Sequence, residues 1–183
     1  MVRSLIVVVS LISVTVAGCR GPRADAADAA APALADAQIA AILAAANNID
    51  ILYADLALAK SQDAAVREFA TMVKKDHESV NEAAAVLLGR LGVTPVDSEI
   101  SFDLRDDADT KRLMMRDLEG FAFDSSYAAN EVTYHRGVLA TIDDLLIPNA
   151  QNAEFRALLV AVRPAVAAHL EHAQTLAATK TAR

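Results

Sequence analysis

Tryptophan is absent from this chain of 183 residues, glycine and proline number only six and five, and cysteine occurs once. Each scarcity excludes something. There is no Asn-Gly or Asp-Gly pair and few runs alternate with period two, so the sequence carries no hairpin signal and no case for a β-rich fold. A single cysteine forms no internal disulfide and leaves no thiol for chemistry inside the domain. The formal net charge is −7, and Lys74, Lys75, Arg90, Arg105, Lys111 and Arg112 are interleaved with acids. No positive field able to collect phosphates results, which excludes nucleic acid as a partner class. A glycine-rich phosphate loop and a nucleophile elbow are also missing, so no nucleotide or organic cofactor is implied.

What is abundant is alanine and aliphatic side chains, the composition that helices tolerate best. The length suits one domain with a real core, not comfortably two. Residues 1–18 stand apart from it. Arg3 supplies a short positive region, and Leu5 to Val16 is apolar apart from Ser10, Ser13 and Thr15. About a dozen residues is too short for a membrane span, which needs about 20, and fits a secretory signal peptide. The stretch ends in Val16-Ala17-Gly18-Cys19, which resembles the bacterial lipobox, where small residues precede a cysteine that is acylated and becomes the new N-terminus. Val16 replaces the usual leucine. Cys19 is therefore the expected lipidation site, and a membrane held through that lipid is the expected partner. Arg20, rather than aspartate, follows the cysteine. By resemblance to Gram-negative lipoproteins this implies a periplasm-facing place in the cell envelope, on the outer membrane. Residues 19–35, rich in Ala, Asp and Pro, have too little bulk to pack and read as a flexible tether.

From residue 36 to 180 the apolar positions recur with helical period. The expected fold class is all-α, an antiparallel four-helix bundle with a short extra helix between helices two and three. Helix one is expected over Asp36–Lys60 with Asp36 as N-cap. Its inward face carries Ile39, Leu43, Ala46, Tyr53 and Ala57, and Asp50 lies in or beside that stripe. Asp63 caps helix two, whose apolar positions Val66, Phe69, Ala70, Val73, Val80, Ala84, Leu87, Leu88 and Leu91 form one stripe. Gly89, Gly92 and Thr94-Pro95 punctuate its end. Residues 96–107 read as a polar loop, followed by a short helix Thr110–Leu118 capped by Asp109. Asp124 is expected to cap helix three, Ser125 to about Leu146, which Pro148 stops. Helix four is expected over Asn152–Ala178, bent at Pro164.

Histidine interrupts three of these stripes. His77 follows Val73 by four residues, His135 sits among Val132 and Leu139, and His169 sits between Val166 and Ala173. His172 lies one turn beyond His169, toward the edge of its stripe. Chance alignment of all three with stripes that each cover about 100° of a helix has a probability of a few per cent.

Three segments, FATMVKKDH, FDSSYAANEVTYH and RPAVAAHLEHAQTL, resemble the bacterial family called domain of unknown function 4142, whose members are secreted and often lipid-anchored. The positions that carry the resemblance are Asp76, His77, Phe123, Asp124, Tyr127, His135, Pro164, His169 and Leu170. It covers about residues 36–176 and implies a ferritin-like four-helix bundle. Asp50 stands where relatives usually have glutamate. The resemblance implies no settled biochemical role.

Imidazole suits several first-row transition metals, and bundle cores build metal sites from facing helices. One transition-metal ion held by His77, His135 and His169, with Asp50 or Glu131 as a further ligand and His172 nearby, is one reading. The other is a metal-free network in which the histidines bond to Asp50, Glu131, Tyr53, Tyr127 or Tyr134, in a structural or partner-binding lipoprotein. Di-iron oxidase chemistry is disfavoured, because its Glu-x-x-His pattern occurs nowhere in the chain. No catalytic constellation is found: Ser125-Ser126 reads as the first turn of a helix, and Asp76 points about 100° away from His77 toward the surface. An oxidoreductase using a metal remains a third class, with no signal of its own. Leu113, Met114, Met115 and Leu118 read as either a lid on the bundle or a face for a protein partner.

Overall fold

A computed structural model describes residues 34–181 of the chain. The expected signal peptide, Cys19 and nearly all of the expected tether lie outside the described residues. Every element in the described part is helical, with no strand. Helix α1 spans Asp36–Lys60, α2 Ala64–Leu91, α3 Glu99–Arg116 and α4 Gly120–Thr141. A π-helical turn, Ile142–Leu146, and a last turn, Ile147–Asn149, extend α4 before α5 spans Ala153–Thr181.

The ends of these helices have local causes. Asp63 caps α2 as expected, its carboxylate accepting from the backbone N–H groups of Ala65 and Val66 at 3.0 and 3.1 Å. Gly92 closes α2 at φ 68°, the left-handed conformation that glycine adopts without a Cβ penalty. Asp36 is not an N-cap. It is the first residue of α1, and its carboxylate accepts from the N–H groups of Gln151 and Asn152 at 2.8 and 2.9 Å, pinning that end to the start of α5.

Residues 99–116 correct the expectation of a polar loop followed by a short helix. One helix begins at the Ser98 cap, where Ser98 and Ser101 exchange side-chain-to-backbone hydrogen bonds. Only Ser101, Ala108 and Met115 are buried, a narrow seven-residue stripe on an otherwise charged helix. Asp109 is interior to it and pairs with Arg112 at 2.7 Å. Asp124 likewise lies inside α4 rather than at its start. It is buried and accepts from the Ser61 hydroxyl at 2.5 Å, tying α4 to the α1–α2 connection. Helix α5 runs unbroken through Pro164, which is exposed.

Paired contacts fix the directions of the four long helices. Val96 N–H donates to the Ala37 carbonyl at one end. At the other, Lys60 meets Glu119 at 2.6 Å and Lys180 meets Asp63 at 2.5 Å. Helices α1 and α5 therefore run one way, α2 and α4 the other, and α3 carries the chain back along the length between α2 and α4. Two apolar clusters result. One gathers Tyr53, Val66, Phe69, Val73, Phe123, Tyr127 and Leu176. The other gathers Ile39, Ile42, Ala84, Leu88, Ile142, Phe155 and Leu159. Burying such side chains stabilises by about 1.5–3 kcal/mol each, enough to support a polar layer between the clusters. That layer holds Asn47, Asp50, His77, Glu131, His135 and His169, all buried.

Candidate metal centre

Each long helix contributes to the layer at a position where its apolar stripe is interrupted: Asn47 and Asp50 from α1, His77 from α2, Glu131 and His135 from α4, and His169 from α5. Asp50, Glu131 and His135 are fully buried, and His77 and His169 are 3% exposed. The three rings lie close together, with centroids 5.9 Å apart for His77–His135, 5.4 Å for His77–His169 and 5.3 Å for His135–His169. One ligand atom from each lies within 4.8 Å of the others, and Asp50, Glu131 and His135 form a second such set.

Every ring has one nitrogen tied to a polar group away from the other two rings. His77 Nδ1–H donates to Asn47 Oδ1 at 2.8 Å. His135 Nδ1–H donates to the Glu131 carbonyl at 3.1 Å. His169 Nε2–H donates to Asp76 Oδ2 at 3.0 Å. The remaining nitrogens, His77 Nε2, His135 Nε2 and His169 Nδ1, are buried without a hydrogen-bond partner, as are both carboxylate oxygens of Asp50 and of Glu131. Buried polar atoms normally find partners. Apart from Tyr127 Oη and Asn130 Nδ2, the buried atoms that lack them are donor atoms a cation would use, and the satisfied ring nitrogens are bonded to groups of the kind that orient metal-bound imidazoles.

Asp50 Oδ2 lies 2.9 Å from His77 Nε2 and 3.0 Å from His135 Nε2. Both distances suit ion pairs, yet neither contact is aligned as a hydrogen bond. Ligands about 2.1 Å from a shared ion and at right angles to one another are about 3.0 Å apart, which matches this spacing.

The electrostatics agree with a site built for positive charge. Burial pushes the Asp50 carboxyl up, but the His135 and His77 imidazoles outweigh it and hold Asp50 below the ordinary carboxylate range. Burial pushes His135 down, and the Asp50 charge at ion-pair distance overcomes that and raises it to about 10. Burial, then repulsion from Asp50, lifts Glu131 to about 8. His169 is lowered, chiefly by burial, which keeps that ring neutral and its lone pair available. The shifts favour the protonated forms of His135 and Glu131, and a divalent ion would compete with those protons.

The structure brings five of the six proposed ligand residues together, since His77, His135, His169, Asp50 and Glu131 all line the layer. His172 stands outside it, exposed, with its ring against the edge of Phe69 at 5.2 Å between centroids. No tyrosine hydroxyl bonds to a histidine among the described residues. Tyr134 donates instead to the Ala46 carbonyl at 2.6 Å, and Tyr127 Oη is buried without a partner.

A family model described as Domain of unknown function (DUF4142) matches residues 21–176. The chain belongs to this family. Comparison with curated proteins and with solved structures returns no match. Within this DUF4142 domain, the site includes two residues that the sequence pattern does not place there: Asn47, and Asp76, expected to face away from it. Asn47, three residues before Asp50 and four after Leu43, shares their helix face, so its polarity at a stripe position is a usable signal. Asp76 has the sequence position of a surface residue. Its side chain is 46% exposed, but it reaches across the α2–α5 contact to His169, and pairing between helices has no local signature.

Proposed function

We propose that this DUF4142 chain is a cell-envelope lipoprotein whose helical domain binds one transition-metal ion through His77, His135, His169 and Asp50, with Glu131 beside them. The observation that carries the reading is the set of unpartnered donor atoms: three imidazole nitrogens and two carboxylates, directed into one buried layer. When bound, the ion would supply a Lewis-acidic or redox centre; the chain's own part is to hold it and to exclude water. Thiolate is missing from the donor set, which suits Zn, Mn, Fe, Co or Ni rather than Cu(I).

The direction of the helices supports a ferritin-like four-helix bundle, in which one long crossover joins the second and third long helices. Here α3 is that crossover. The lipid anchor at Cys19, the signal peptide before it and a place on the outer membrane rest on the sequence motif. A metal-free structural network is the second reading, favoured by the two ion-pair distances from Asp50 to His77 and His135.

Elemental analysis and thermal melting of residues 20–183 separate the two. A bound ion appears as about one metal per chain, lost in His77→Ala and in His135→Ala, with a melting temperature that rises on loading. Protein that takes up no Zn, Mn, Fe, Co, Ni or Cu, and whose melting temperature none of them changes, overturns the metal reading and leaves the network.

A further inference from the structure

His77 is the one ring of the three whose orienting partner is itself a side-chain amide, and that amide is the first of a chain. Asn47 Oδ1 accepts from His77 Nδ1–H at 2.8 Å, and Asn47 Nδ2 donates to Asn81 Oδ1 at 2.9 Å. Asn81 Nδ2 then donates to Asn48 Oδ1 at 2.9 Å. Asn47 is buried, Asn81 half-buried and Asn48 exposed, so the chain runs from the polar layer to the surface across the α1–α2 contact.

An amide presents an acceptor on one side and a donor on the other. Linked head to tail, the three asparagines share one polarity: every donor points outward and every acceptor inward. The inner end therefore presents an oxygen to His77, which can be satisfied only by a proton on Nδ1. That leaves Nε2 as the ring's available lone pair, beside Asp50 and directed toward the other two rings. Reversing the three amides together would keep all the bonds between them but present an N–H to His77, place its proton on Nε2 and remove the ligand atom.

We propose that Asn47 and Asn81 are positioning residues whose common polarity sets the tautomer of His77 and so makes it a competent metal ligand. The proposal rests on the metal reading for its consequence, but not for the tautomer itself. Asn81 is the informative position, because it touches neither the histidine nor any proposed ligand. Asn81→Asp keeps the acceptor for Asn47 Nδ2 and, as a carboxylate, cannot donate, so it enforces the same polarity. Asn81→Leu removes the partner and frees the Asn47 amide to turn over.

The test uses residues 20–183 in three forms, wild type, Asn81→Asp and Asn81→Leu, with zinc affinity measured against a chelator. Imidazole ¹⁵N–¹H spectra report which nitrogen of His77 carries the proton. Expected are an Nδ1 proton and equal affinity, within about threefold, in wild type and Asn81→Asp. Asn81→Leu should lose that proton's slow exchange and, by freeing the Asn47 amide that orients His77, bind zinc about 10–100-fold more weakly, the usual effect of losing the partner that orients a metal-bound imidazole. A merely structural role would move both variants alike. Asn81→Leu with wild-type affinity and an unchanged Nδ1 proton overturns the proposal while the metal reading stands. Failure of the wild type to bind zinc or the other metals overturns the metal reading, and the spectra then still decide whether the asparagines set the tautomer.

Discussion

His135 Nε2 lies 3.0 Å from Asp50 Oδ2, and neither side chain has any surface in contact with water. An imidazolium and a carboxylate in that position hold each other's charge, and the loss of one strands the other. Breaking a buried pair by removing one partner costs about 3–5 kcal/mol. Asp50→Ala in the metal-free protein is therefore expected to lower stability by about that much, measured by urea unfolding. Asp50→Asn, which preserves shape and some hydrogen bonding, should cost less but abolish metal uptake equally. An Asp50→Asn variant that binds metal as tightly as wild type removes Asp50 from the ligand set.

The stability of the metal-free protein should fall as pH rises. His135 is raised in the fold to about 10 from an ordinary 6.5, and Glu131 to about 8 from 4.5. Both groups hold a proton more tightly folded than unfolded, so their contribution is complete below pH 4.5 and is lost as pH climbs through 8 and then 10. Asp50, held below 3.8, acts oppositely, and its contribution is lost only as pH falls beneath that value. A displacement of a single unit is worth about 1.4 kcal/mol, or a shift of about 3–6 °C in Tm for a domain of this size. Melting at pH 6 and pH 9 without metal should show the lower Tm at pH 9. Glu131→Gln should flatten the slope between them.

Metal should reverse that trend, because it displaces protons from its ligands and binds more tightly as pH rises. At a free concentration about one hundred times Kd, an ion that binds only the folded chain stabilises it by about 2.7 kcal/mol. Calorimetric titration of the metal at pH 6 and pH 8 should give the higher affinity at pH 8, with protons released in buffers of different ionisation heat. Equal affinity at both values would mean that the imidazoles and carboxylates of the layer are not the ligands.

Asp124 provides the control for a buried polar residue that lies outside the layer. Asp124→Ala removes the acceptor of the Ser61 hydroxyl and leaves that hydroxyl without its partner, at a cost of about 1–3 kcal/mol. Metal stoichiometry and affinity should stay at their wild-type values. A loss of metal in this variant would imply that the tie between α4 and the α1–α2 connection shapes the site at a distance.

The lipid anchor is tested on the full chain. Cys19→Ser, expressed in a Gram-negative host, should fail to incorporate a fatty-acid analogue and should move from the membrane fraction to the soluble one. Labelling that persists in the variant excludes Cys19 as the acylated residue.

The apolar stripes make the helices and three of the four histidines legible in the sequence, because a polar residue at a core position is visible against a regular period. The same logic reaches Asp50, and Glu131 follows from its place four residues before His135 on the same helix face. It fails for α3, where 18 residues carry so narrow a buried stripe that charge density conceals the helix. It fails for Asp36 and Asp124 in a related way: both have the composition of an N-cap, but their partners are Gln151 and Asn152 for one and Ser61 for the other. Contacts made across helices leave no mark within a short window of sequence, and the bond from Asp76 to His169 is hidden for that reason.

No two of His77, His135 and His169 share a helix, and Asp50 comes from yet another. A partly assembled chain therefore presents isolated imidazoles, none of which competes well for an ion alone. The complete donor set exists only once α1, α2, α4 and α5 have met. Which metal the protein carries would then be decided less by the donors than by the fluid in which the last helix docks. A chain exported before folding would sample the ions outside the cytoplasm, and the same chain folded inside would sample a different supply.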